Sequence, residues 1–166
     1  MTKKPTDAPK DPPPHFQAQL QAAKQQSTLQ LLFKAARLLD EAAIARLGAQ
    51  LGNVQLRRSH SALLPHLDLE GTRQSVLAER LGISKQAVAQ LVDDLEALDM
   101  VSRQPDPQDA RAKRICFTAR GRKGLLQGLN VLQEMEQELA RQLGEHRVGQ
   151  LHATLCAILK AIEPQS

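Results

Sequence analysis

Two glutamines four residues apart, Gln86 and Gln90, and a basic segment further along carry the side chains of this chain that are best matched to a chemical partner. A carboxamide holds an acceptor and a donor side by side, which matches the N6/N7 edge of adenine and supplies about 1–3 kcal/mol of discrimination there. On a helix, a spacing of four sets both amides on one face. The segment "DARAKR" (109–114) places Asp109 beside Arg111, Lys113 and Arg114, with Arg103 upstream. Residues 101–124 hold seven Lys or Arg against Asp106 and Asp109, whereas residues 125–166 hold three against five acidic residues. Positive charge is thus gathered in one place, and a polyanion would be drawn there. A solvated basic loop is the plainer meaning of such a run taken alone.

The surrounding elements decide between the two. "SVLAERLG" (75–82) reads as a two-turn helix capped by Ser75, and "SKQAVAQLVDDLEALD" (84–99) as a longer helix capped by Ser84. Only "GIS" separates them, so the chain turns sharply at Gly82, with Ile83 expected to plug the gap beneath. Leu77, Leu81, Val88 and Leu91 are expected to bury between the helices, with Ala78 at their closest approach. With Val88 facing inward, Leu91, Val92, Leu95 and Leu98 share its stripe and Gln86, Gln90 and Asp93 face out. Such a helix pair can lay its second helix in the DNA major groove. Ser84, Lys85 and the first N–H groups of that helix then suit phosphates. "MVSRQ" and "AKRICFT" read as two strands, which makes "PDPQDARAKRICFT" (105–118) part of a hairpin with a long tip.

Upstream, apolar residues at Leu29, Leu32, Phe33, Ala36, Leu39, Ala43, Leu47 and Leu51 predict an amphipathic helix over 27–51, and "FQAQLQAAKQQ" would extend it back toward Phe16. A second helix is expected over 54–64, kinked or ended by Pro65. Downstream, Thr118 caps a long helix, and a last one repeats at Val148, Leu151, Leu155, Ile158 and Ile162.

Residues 77–121, "LAERLGISKQAVAQLVDDLEALDMVSRQPDPQDARAKRICFTARG", resemble the winged helix-turn-helix core of the multiple-antibiotic-resistance regulator (MarR) family. The matching pieces are Gly82-Ile83-Ser84, Leu95-Glu96, Val101-Ser102-Arg103, Asp109-Ala110-Arg111 and Phe117-Thr118. Similarity of helix length and pattern extends over roughly residues 28–162. The resemblance implies that the basic hairpin is a wing, that Arg111 enters the minor groove and that Asp109 orients it. Lys113, Arg114 and Arg103 become phosphate candidates, and "GTRQ" (71–74) the short strand that completes the wing sheet. It also implies a homodimer through the flanking helices, and hence an inverted-repeat operator on double-stranded DNA. A small-molecule effector would enter a cavity near Arg57, Arg58, His60 and His66, each of which is otherwise an ordinary solvated or satisfied side chain. Packing of the three arms within one monomer is the alternative to the dimer.

The expected organisation is a disordered Pro-rich tail (1–14), N-terminal helices (15–70), a DNA-binding head (71–118) and C-terminal dimerisation helices (119–166). The fold class is mainly α, a winged helix-turn-helix with a small antiparallel β-hairpin wing. At 166 residues and 42% apolar, the chain has room for one domain core, built with only three phenylalanines as aromatics. That scarcity argues against single-stranded nucleic acid held by stacking. No apolar run suits a membrane span or a secretory signal. Cys116 and Cys156 form no framework, so reduced thiols and a cytoplasmic location are expected. Cys116 should face outward from the wing, between Ile115 and Phe117. Neither His60–His66 nor His146–His152 makes a helical metal pair, because six residues rotate by about 240°. No metal, cofactor or catalytic residue is expected, and no nucleophile or phosphate-loop motif supports an enzyme. The functional expectation is therefore a sequence-specific DNA-binding transcriptional regulator, most often a repressor in this family. The rival is a winged-helix protein–protein module without DNA binding.

Overall fold

Prolines start the first helix and a serine ends it. The structure, a computed structural model, describes residues 13–162, so residues 1–12 of the expected tail lie outside it. Pro13 is extended and places Pro14 at the first position of α1 (Pro14–Gln26), where a missing N–H costs nothing. Ser27 then leaves the helical region (ψ 110°), and its Oγ accepts the Gln30 N–H at 3.3 Å to start α2 (Thr28–Gln50). The expected continuous helix is thus two helices with a capped joint. The chain divides at Asp40/Glu41, within α2, into two compact units.

In the second unit, Gly52 and Asn53 both adopt positive φ and turn the chain back on α2, where the Val54 N–H reaches the Gly48 carbonyl at 3.0 Å. The helix expected over 54–64 is therefore shorter. It forms α3 (Arg58–Leu63), followed by a single 3-10 turn over Leu64–His66 that contains Pro65. A two-residue strand β1 (Thr72–Arg73) runs directly into α4 (Gln74–Leu81), so Arg73, and not Ser75, occupies the N-cap. Gly82 takes φ +64°, and α5 (Lys85–Ala97) follows after Ser84, whose Oγ accepts the Ala87 N–H at 3.1 Å. Ile83 does not plug the turn: it is 40% exposed, on a bend between a left-handed residue and an extended cap.

The strands β2 (Val101–Asp106) and β3 (Asp109–Phe117) pair antiparallel, and β1 joins the other edge of β3 in the order β1-β3-β2. Pairing continues out to Asp106 opposite Asp109, which leaves a tip of only Pro107 and Gln108 in place of the long one expected. Pro105 is tolerated because the ladder shifts register next to it.

Leu63, Leu67, Leu77, Ala78, Val88, Val92, Leu95, Met100, Val101, Ile115 and Phe117 form one buried cluster beneath the helix pair and sheet. Thr118 ties the sheet to α6 (Ala119–Leu143): its hydroxyl donates to the Asp99 carbonyl at 2.6 Å and accepts the Gly121 N–H at 2.9 Å. A Cβ at Gly121 would stand 1.8 Å from the Met100 carbonyl oxygen, so only glycine lets α6 approach the head this closely. Gly144 separates α6 from α7 (Glu145–Ile162). Arg46 of α2 grips Glu138 of α6 through two bonds of 2.9 and 2.7 Å, which holds the Glu138 carboxyl below its usual range.

Candidate nucleic-acid interface

Val88, Val92 and Leu95 are fully buried, so α5 is fixed in rotation and its opposite face is settled. Lys85, Gln86 and Gln90 are all exposed on it. The Gln74 amide donates to the Lys85 carbonyl at 2.8 Å, fastening the start of α4 to the start of α5. Ser84 is exposed with its oxygen committed to the cap, which leaves its O–H to donate. The first N–H groups of a helix lack intrahelical acceptors, so the start of α5 presents donors beside Lys85.

Arg103 has a different place from the one expected. Its backbone N–H donates to Glu96 at 2.7 Å, and its guanidinium bonds Glu96, Asp93 at 2.7 Å and the Ala89 carbonyl at 3.2 Å. Every partner lies on α5. The guanidinium is spent stapling β2 to that helix and is not presented to a phosphate. It also offsets Asp93, whose charge would otherwise oppose a phosphate approaching this part of α5.

The wing tip is built on two aspartates that each accept a backbone N–H two residues on. Asp106 takes Gln108 at 2.8 Å and Asp109 takes Arg111 at 3.0 Å. Asp109 therefore shapes the backbone under Arg111; its recorded bond is to the Arg111 N–H and not to the guanidinium that it was expected to orient. Asp106 is buried and receives Arg73 Nε at 2.5 Å, with Arg114 Nε 3.8 Å away. The Arg73 hydrogen bond first, then the Gln108 N–H, hold its carboxyl below the ordinary aspartate range. Arg114 also reaches the Glu70 carbonyl at 3.4 Å, so it braces β3 and is not a free phosphate contact. Asp106 was missed at the sequence level, although "DPQ" at a hairpin end is a turn signal. Arg111 and Lys113 are exposed and alternate along one face of β3.

The four expected effector residues separate. Arg57 and Arg58 line an open cavity of about 510 Å³, together with Ile44, Val54 and Leu56 among others. His60 and His66 are not among its lining residues. His60 is 2% exposed, with Nδ1 accepting the Arg57 N–H at 3.2 Å and Nε2 3.4 Å from Asp94; the His66 carbonyl accepts Arg80 at 2.7 Å. Cys116 is half-buried, its Sγ 4.0 Å from the Glu70 carbonyl. Among the described residues, no helix is long and apolar enough to cross a membrane.

Residues 54–112 match the model of the MarR family. The fold is similar to the transcriptional repressor CouR bound to a 23-mer DNA duplex, at 25% identity and a TM-score of 0.59, covering 81% of this chain and 93% of that one. It is also similar to a mutant of MepR from a multidrug-resistant Staphylococcus aureus clinical isolate, at 26% identity and a TM-score of 0.61, covering 83% and 99%. CouR from Rhodococcus jostii RHA1 bound to p-coumaroyl-CoA shares the fold at 23% identity and a TM-score of 0.60, covering 86% and 97%. No curated protein sequence matches the chain. Helix pair, wing and flanking helices agree with the motif over the head: over residues 54–112 the chain is similar to the MarR family, and it shares the winged-helix fold of CouR and MepR.

Proposed function

We propose that the protein is a sequence-specific DNA-binding transcriptional regulator, acting as a repressor and binding an inverted-repeat operator as a homodimer in the cytoplasm. The carrying observation is the Arg103 staple, which makes the exposed amides of α5 and the exposed cations of β3 parts of one rigid head. Gln86 and Gln90 read base edges, Ser84, Lys85 and Lys113 take phosphates, and Arg111 enters the flanking minor groove. Exposed leucines at 126, 129 and 132 of α6 and 151 and 159 of α7 supply apolar surface for a second copy. A small-molecule effector would occupy the cavity beside Arg57 and Arg58. No observation favours the protein–protein alternative. Duplex affinity measured by fluorescence anisotropy against salt tests the reading. A steep fall with salt is expected, and Arg111→Ala should reduce the slope by about one. A salt-independent affinity, or one indifferent to Arg111→Ala, would contradict it.

A further inference from the structure

The helix α3 packs on α5, and at their contact one polar ring lies as deep as the core leucines. His60 uses Nδ1 to accept the Arg57 N–H, so in the neutral ring Nε2 carries the proton, 3.4 Å from Asp94 Oδ2. Arg57 donates to the same oxygen at 3.1 Å. The other oxygen, Oδ1, accepts Gln90 Nε2 at 3.2 Å. A buried imidazole is costly unless both nitrogens are paired. Here both are, and one of them fixes a carboxylate a single turn beyond Gln90.

A carboxylate only accepts hydrogen bonds. The Gln90 bond first, with His60 and Arg57 behind it, holds the Asp94 carboxyl below its usual range and so ionised. The Gln90 amide must therefore turn its NH₂ toward Asp94, which directs Oε1 away from it. We propose that Asp94 is a positioning residue that sets the base preference of Gln90. Held by His60 and Arg57, it fixes the amide with its oxygen outward, so that Gln90 selects an amino-bearing major-groove edge, adenine or cytosine, over guanine or thymine. This rests on the reading of α5 as the base-reading helix.

Selection of bound duplexes from a random pool by the full chain tests it, using wild type, Asp94→Glu, Asp94→Asn and Gln90→Ala, and the last two combined. Wild type and Asp94→Glu, both acceptor-only at 94, should enrich A or C over G or T on the order of tenfold at one position of each half-site. Asp94→Asn can donate to Oε1 and let the amide reverse, so that preference should vanish. Gln90→Ala should abolish it too, and adding Asp94→Asn to Gln90→Ala should change nothing further. A purely structural Asp94 would lower affinity and Tm without altering one position. Retention of the preference in Asp94→Asn, or a shift there in the Gln90→Ala background, overturns the proposal. If Asp94→Asn does not fold, Asp94→Glu decides: a kept preference supports the proposal and a lost one overturns it. A wild-type site with no A-or-C position overturns this inference alone, whereas no selected duplex overturns the functional reading as well.

Discussion

At the scale of residues, the site separates cations that are presented from cations that are used up. Arg111 and Lys113 stand exposed on β3, whereas Arg103 and Arg114 close internal contacts. All four looked alike in sequence, because ion pairs spanning seven to ten residues leave no periodic trace. Asp106 holds the wing by the same kind of contact, and its behaviour in acid is predictable. Its folded pKa lies below the unfolded one, so the stability it contributes is complete above the ordinary aspartate value of about 3.9 and is lost as pH falls through the lower folded value. An NMR titration of the Asp106 carboxyl should accordingly show a midpoint below that of a model aspartate. A midpoint at or above it would mean that Arg73 does not hold the tip in solution.

At the scale of elements, two joints carry the head. The Arg103 staple ties β2 to α5, and Arg103→Met should cost about 1 kcal/mol, with the more than half-exposed Asp93 contributing little through water. Its effect on duplex affinity should be larger than its effect on stability, because the wing would lose its fixed angle to α5. Equal losses would show that the staple only stabilises the fold. At the second joint, Gly121→Ala puts a methyl into the Met100 carbonyl and should destabilise by roughly 1–3 kcal/mol, seen as a lower denaturant midpoint at unchanged m. The caps at Ser84 and Thr118 and the stripe Val88–Val92–Leu95 were legible because each is a local pattern. The start of α3 was not, since Asn53 adopts a left-handed conformation that its residue type permits without demanding. The wing tip was misjudged for a related reason: prolines suggested a loop where a register shift accommodates Pro105 within the ladder.

At the scale of the whole molecule, a head in which α5 and the wing are bonded together continues into helices with apolar residues left in solvent. The head was legible as a motif, while the cavity beside Arg57 and Arg58 was only partly so, because the turn at Gly52 and Asn53 shapes it. A hydroxyl-radical footprint on a selected duplex, wild type against Arg111→Ala, probes the joint contact of α5 and wing most directly. Two protected blocks about one helical turn apart, roughly 34 Å, are predicted, each with a minor-groove flank that Arg111→Ala alone exposes. A single block, or flanks unchanged by Arg111→Ala, would contradict a dimer that grips DNA with both elements at once.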